Sequence, residues 1–258
     1  MKFLIIGGDA AGMSAASRAK RSMPDLEVTV LEKTTDVSYS ACGMPYNIAD
    51  ADREIDDLVV RSAEVFRRKQ GIDLLTGYRA ESIDTANRTV SGTALASGEP
   101  FCFTFDRLLI ATGGHARIPA RPGFDLPGVV VLKSLDDGRK IKAYLRRHTV
   151  DKAVIIGMGY IGMEMAEALR ARGIAVEMVK PGPDLLPWMH RDLAEVVEQE
   201  LNSSGVRLHL GCHVTKIEAV ANRLQVVCQD QTLPADMVLV AVGIEPNSAL
   251  AAEAGIAT

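Results

Sequence analysis

Cysteine is scarce in this chain, and none of it is arranged in pairs. Cys42, Cys102, Cys212 and Cys228 form no C-x-x-C and show no metal-ligand spacing. Secretory features are missing as well, so a reducing cytoplasm is the expected compartment. There is no basic run, and the formal net charge is −4, which sets nucleic acid aside as a partner. No apolar stretch reaches the roughly 18 residues of a membrane span. The apolar start Met1–Ile6 stops at Gly7 and reads as a first buried strand, not a signal peptide. Low-complexity segments are absent too. What remains is 258 residues, 47% hydrophobic and 24% charged, which suits a soluble globular fold of one large domain or two ordinary ones.

Strand and helix signals alternate along the chain. Residues 3–6 form a short apolar run, an alanine-rich helix is expected over 11–21, and Glu27–Glu32 reads as a second strand. The same βαβ grammar returns with a strand at Lys152–Ile156, a helix over 160–172 and a strand at Ala175–Val179. The fold class is therefore α/β, with two Rossmann-like units. Between them, residues 53–70 carry helical spacing and 78–110 hold strand-like runs. Pro119, Pro122, Gly123, Pro127 and Gly128 mark the expected domain boundary. Met237–Gly243 reads as another buried strand ending in glycine.

Two glycine-rich turns carry the chemistry. A G-x-G-x-x-G turn between strand and helix lets backbone amides approach a pyrophosphate, and the helix start adds partial positive charge. Gly157, Gly159 and Gly162 satisfy the pattern in full after Val154–Ile156. The first turn is less regular: Gly7 and Gly12 match, but Asp9 takes the central position and is expected to turn away and cap the helix. Glu32, at the end of the second strand, can accept hydrogen bonds from both ribose hydroxyls of an adenosine; without the glycine turn it would read as a solvated charge. In the second unit the equivalent position is Lys180. A cation there suits a ribose 2′-phosphate, a slight lean to NADPH, against the plainer reading of an exposed lysine before a turn.

Two dinucleotide sites imply two cofactors, and the thiol just after the first implies electrons passing through both to sulfur. That thiol is Cys42, in Ser38–Tyr46, with Gly43 giving its backbone room. A helix starting nearby would favour the reactive thiolate. The other three cysteines read as small buried hydrophobes without partners. His209, Cys212 and His213 do not make a metal site: Arg207–Leu210 reads as extended, which spreads its side chains, and no acidic residue completes the set.

On these residues the chain resembles the pyridine nucleotide–disulfide oxidoreductase family, in particular its single-cysteine branch of CoA-disulfide reductases and NADH oxidases or peroxidases. The resemblance is carried by Gly7–Gly12, Glu32-Lys33, Ser40–Tyr46, Leu109–Gly113, Gly157–Glu164 and Val242–Asn247, in family order. It implies an FAD-binding domain over 1–115, an NAD(P)-binding domain over 116–243, and a return to the FAD domain at 244–258. Gly7, Gly8, Ala10, Ala11, Gly12, Glu32, Lys33, Thr112 and Gly113 would contact FAD. Gly157, Gly159, Tyr160, Ile161, Gly162, Lys180 and Gly243 would hold NAD(P)H. Cys42 matches the redox cysteine, Tyr160 a tyrosine that shields the flavin, and Glu164 a glutamate beside the nicotinamide.

Members of that family continue past Val242–Asn247 with a segment completing the flavin site and a dimerisation domain. The sequence is therefore expected to stop inside a larger protein, with a homodimer only in the full-length form. Three functions stay open. One is reduction of a thiol-derived substrate, CoA disulfide or a persulfide, through Cys42. The second is an NAD(P)H oxidase or peroxidase working through a Cys42 sulfenate. The third is a non-enzymatic dinucleotide-binding fragment.

Overall fold

A computed structural model of the protein describes residues 1–221 and 223–258. The chain divides into two compact units. Met1–Ser40, Asp57–Gly114 and Pro246–Thr258 form the first; Ala41–Asp56 and His115–Glu245 form the second.

In the first unit, β1 (Lys2–Ile6), β2 (Glu27–Glu32), β3 (Asp73–Thr76) and β7 (Arg107–Ile110) form a parallel sheet in the order β3-β2-β1-β7. β1 is apolar along most of its length because both its faces are covered. Ile5 belongs to a core with Met13 and Ala16 of α1 (Ala10–Ser22) and Phe66 of α3 (Ala63–Gln70). Leu4 and Ile6 point the other way, by the period-two alternation of a strand. They join Ile83 and Val90 of an antiparallel meander, β4 (Tyr78–Asp84), β5 (Thr89–Ala94) and β6 (Glu99–Thr104). The short α7 (Ala249–Glu253) adds Leu250 to that core. In β6, Phe101 and Phe103 face inward, so the alternation turns Cys102 outward. The expectation of a buried Cys102 is thereby corrected.

The second unit repeats the plan. β9 (Val129–Val130), β10 (Lys152–Ile156), β11 (Ala175–Val179), β12 (Val206–His209) and β16 (Met237–Val240) form a parallel sheet ordered β12-β11-β10-β16-β9. Val154, Ile156 and Val179 pack with Ile217, Val226 and Leu233 of a second meander, β13 (Val214–Val220), β14 (Arg223–Cys228) and β15 (Thr232–Ala235). The unit's helices are α2 (Met44–Ala49), α4 (Leu135–Arg147), α5 (Tyr160–Ala171) and α6 (Arg191–Ser203). Where the chain crosses between units, β8 (Gly114–Ala116) pairs with β17 (Ile244–Pro246).

Three features depart from the sequence reading. Residues 41–56, grouped with the first domain by sequence, cluster with the second unit. The proline–glycine stretch 119–128, read as the domain boundary, is a packed loop inside the second unit. Ile217 N donates to Pro122 O (2.9 Å) and Val238 N to Gly128 O (2.9 Å), and a Cβ on Gly123 would run into Ile217 O. Cys212 and Cys228, expected without partners, are joined as a disulfide with Cα atoms 5.9 Å apart. The hairpin register sets Val214 opposite Cys228, which brings Cys212 alongside.

Candidate functional site

The two glycine turns are built alike. Gly7 has φ +112° and Gly157 φ +107°, a region where only glycine is comfortable. A Cβ on Gly7 would strike Ala111 O, and one on Gly157 would strike Ala241 O. Each turn is clamped from both sides by its sheet. Gly7 N donates to Leu31 O (2.8 Å) and Ala111 N to Ile6 O (2.8 Å); Gly157 N donates to Val179 O (2.8 Å) and Ala241 N to Ile156 O (2.7 Å). The third glycine lets helix and turn close: a Cβ on Gly12 would overlap Gly7 O, and one on Gly162 would lie 2.5 Å from Gly157 O.

Both following helices begin without a side-chain cap. α1 starts after Asp9, whose side chain makes no capping hydrogen bond, and α5 after Gly159, which has no side chain to cap with. Of the other helices, α3 and α4 are capped by Ser62 and Ser134, in α4 as a full capping box with Asp137, while α2, α6 and α7 also start without a side-chain cap. The first N–H groups of a helix have no intrahelical partner. After the glycine turns they are left for an anion, which fits a pyrophosphate in each unit. Asp9 thus holds the N-cap position with extended backbone but does not cap by its side chain, a correction to the expected role.

In the first unit, the half-buried Glu32 already organises the turn. Its Oε2 accepts from Gly8 N (2.7 Å), and its Oε1 from Thr34 N and Thr34 Oγ1 (both 2.8 Å). A carboxylate has about four acceptor sites, so capacity for ribose hydroxyls remains. Lys33 next to it is exposed. Thr112 and Gly113 lie just beyond the strand that clamps Gly7. Thr112 Oγ1 donates to Asn247 O (2.7 Å), Asn247 Nδ2 to Thr112 O (2.7 Å) and Asn247 N to Gly113 O (2.9 Å). This closure joins the two sequence motifs that contain these residues.

In the second unit, Gly159 has φ −86° and ψ −175°, and a Cβ there would meet nothing within 4 Å. Tyr160 is 65% exposed at the start of α5, and Ile161 is half-buried. Trp188, 59% exposed, lies with its ring centroid 6.0 Å from that of Tyr160. Sequence reasoning passed over this residue, although it is the chain's one tryptophan and sits in a proline-flanked segment. Glu164 lines a groove of about 600 Å³ between α5 and α6, with Met163, Val197 and Leu201. Lys180 Nζ donates to Asp184 O (2.5 Å) and Leu185 O (3.1 Å), so its ammonium closes the loop after β11. Gly243, with φ +118°, lies just past the strand that clamps Gly157.

Glu177 is the buried acid near this site, its side chain only 3% exposed. It meets Lys152 Nζ (2.8 Å), His209 Nε2 (3.0 Å) and Arg207. Burial alone would raise its pKa, but the Lys152 hydrogen bond and the charges of Lys152 and Arg207 outweigh that and hold it below the ordinary carboxylate range. His209 therefore belongs to an ion cluster at the sheet edge. Among the described residues no group of three or more His, Cys, Asp or Glu could hold a metal ion.

Cys42 is a free, exposed thiol in a single 3-10 turn, Ala41–Gly43, ahead of α2. Gly43 is the N-cap of that six-residue helix, and Met44, Pro45, Asn47 and Ile48 are buried. Its place in the second unit follows from the packing of α2 on α4 and α5.

Parallel sheets, helices opened by uncapped glycine turns and an acid at a strand end define a Rossmann-type dinucleotide-binding protein. The chain belongs to the pyridine nucleotide-disulphide oxidoreductase family, whose profile matches residues 1–258. It is 37% identical over 256 residues to an NAD(P)H coenzyme A polysulfide/persulfide reductase of Pyrococcus horikoshii, covering 99% of this chain and 56% of that one. It is 34% identical over 256 residues to an NADH oxidase of Methanocaldococcus jannaschii, covering 99% of this chain and 57% of the relative. Among solved structures, an NAD-dependent persulfide reductase from A. fulgidus superposes with a TM-score of 0.93 at 36% identity, over 99% of this chain and 48% of that one. The chain thus spans little more than half the length of these curated relatives. No helix among the described residues is long and apolar enough to cross a membrane.

Proposed function

We propose that this chain is the dinucleotide-binding part of an FAD-dependent NAD(P)H oxidoreductase that reduces a thiol-derived substrate through Cys42. The observation that carries the reading is the same uncapped glycine turn built in each unit, together with an exposed thiol at Cys42 in the matching sequence motif. In the first unit the amides of Ala10, Ala11 and Gly12 would receive the FAD pyrophosphate, with Gly8 held to Glu32 beneath it, Glu32 would receive the ribose, and Thr112-Gly113 the isoalloxazine side. In the second, Gly157–Gly162 would receive the NAD(P)H pyrophosphate. Tyr160 and Trp188 would offer planar apolar surface to its rings, and Gly243 and Glu164, the latter on the α5–α6 groove, would take the roles the family resemblance implies. Lys180 spends two of its three donors on loop carbonyls and keeps one for a 2′-phosphate, which keeps the lean to NADPH slight.

When bound, the two cofactors supply an electron pair to sulfur. The Cys42 thiolate attacks one sulfur of a disulfide or persulfide, forming a mixed disulfide while the old S–S bond breaks and the leaving sulfur takes a proton. The electron pair and a second proton then release the other half as a thiol and restore Cys42. CoA disulfide and persulfides are the substrates this chemistry suits. An oxidase or peroxidase reading, with Cys42 cycling through a sulfenate, is supported by relatives named NADH oxidase. A homodimer of the longer protein belongs to the same proposal.

The test is FAD binding by the longer protein, followed by anaerobic addition of NADPH or NADH. Loss of the flavin's visible absorbance is expected with either nucleotide. A protein that takes up no flavin contradicts the proposal.

A further inference from the structure

We infer that Lys142 is the positioning residue for Cys42, holding the segment that carries the thiol through a three-acceptor clamp. The inference rests on the reading of Cys42 as the redox thiol. Lys142 lies in the middle of α4 and is only 3% exposed. Its Nζ donates to Asn47 O (2.7 Å), Asn47 Oδ1 (2.9 Å) and Asp50 O (2.7 Å). An ammonium has three donors, and here all three end on one short stretch of chain.

That stretch needs outside support. α2 has six residues, and a helix so short is not stable by itself. Two of the three acceptors are main-chain carbonyls at its C-terminal end, where a cation is favoured. A second cation follows the same logic: Arg172 Nη1 donates to Ile48 O (3.0 Å). Asn47 is fully buried, and its Nδ2 donates onward to Glu54 O (2.8 Å), so the clamp also ties in the return of the loop.

The same face of α4 bears on the segment near the thiol. Gly138, one turn before Lys142, sits where a Cβ would be 3.0 Å from Ile55 Cδ1 and 3.6 Å from Met44 Sδ. Met44 is two residues after Cys42 and buried. α4 therefore supports the segment at both ends, by close approach at Gly138 and by the ammonium at Lys142. Burial pushes the Lys142 pKa down, with the charges of Arg146 and Arg172 adding to it. An apolar side chain would fill a helix–helix contact without that penalty. Only an ammonium brings three donors to three oxygens.

The experiment compares wild type and Lys142→Met. In the 258-residue chain, hydrogen exchange of the amides over 44–50 should become at least about tenfold faster, since a buried acceptor left without its donor costs that much or more. Amides of β10 and α5 should keep wild-type rates, and NAD(P)H affinity should be unchanged. In the full-length holoenzyme, kcat with CoA disulfide should fall about tenfold. Bleaching of the flavin by NAD(P)H should keep its rate. Unchanged exchange over 44–50 overturns the inference. So does faster exchange with normal turnover, which would leave Lys142 a structural residue only. If Lys142→Met does not fold, Asn47→Ala, which deletes one acceptor, should move both readouts the same way, and an unmoved pair counts against the clamp. Failure of the thiol reading is seen separately: Cys42→Ser would keep turnover, while the exchange result at 44–50 would stand.

Discussion

Gly159→Val separates folding from binding at the second glycine turn. The backbone at Gly159 is extended, at φ −86° and ψ −175°, which any residue adopts, and its Cβ would meet nothing within 4 Å. The variant should therefore fold with a stability change within about 0.5 kcal/mol, as expected for an open surface position. The valine methyls would stand over the first turn of α5, where the amides await a phosphate. Loss of close approach by two charge-assisted N–H contacts, each worth about 1.5–3 kcal/mol, costs at least roughly 3 kcal/mol. At about 1.4 kcal/mol per tenfold, that is a hundredfold or more in affinity. Gly162→Ala is the contrasting control. Its Cβ would lie 2.5 Å from Gly157 O and 3.3 Å from Met178 Cε, so it should destabilise the unit itself. Calorimetric titration with NADH and NADPH, beside thermal unfolding, reads both effects. A Gly159→Val protein that binds dinucleotide like wild type refutes the assignment of this turn.

Further outcomes follow from other sites. Glu177→Gln removes the acid that Lys152, Arg207 and His209 share and should cost about 3 kcal/mol in urea unfolding, the range for breaking a buried pair. Because the folded-state pKa of Glu177 is lowered from 4.5, its stabilisation is present above that value and lost as pH falls through the lower folded value. The variant should lose that part of the acid limb, and an unaltered acid limb would show the cluster to be neutral in energy. Lys180→Glu should shift the NADPH-to-NADH affinity ratio toward NADH by roughly 1.5–3 kcal/mol; an unchanged ratio would leave Lys180 only its loop carbonyls. Cys102→Ser should leave both stability and turnover as they are, since its thiol faces outward on β6.

Local pattern was legible in the sequence, and long-range pairing was not. The apolar run of β1 and the full glycine pattern at Gly157–Gly162 place their strands and helices within a residue or two, because period and turn chemistry are written in neighbours. The loop 119–128 shows the opposite. Its prolines and glycines look like a boundary between domains until Ile217 and Val238 are seen to bond to it. Cys212 and Cys228 needed the hairpin register to be recognised as partners. Cys102 was misjudged because alternation gives two faces without saying which is covered. Asp9 was expected to cap α1 from its residue type, but the turn geometry decides whether a side chain reaches. Lys142 lies in a stretch to which the sequence reading assigned no element, and the Asn47 carbonyl it meets lies 95 positions earlier. The Thr112–Asn247 closure likewise joins motifs that only folding brings together.

The central claim is that Cys42, and no other thiol, passes electrons to the substrate. In the full-length holoenzyme, Cys42→Ser keeps the side chain's size but offers a hydroxyl too weak for thiol–disulfide exchange. The two halves of the reaction can then be read apart under anaerobic conditions. NAD(P)H should still bleach the flavin at the wild-type rate, while thiol release from CoA disulfide or a persulfide should fall to background. Full thiol release by Cys42→Ser would contradict the sulfur mechanism and leave a flavin that passes electrons directly to another acceptor.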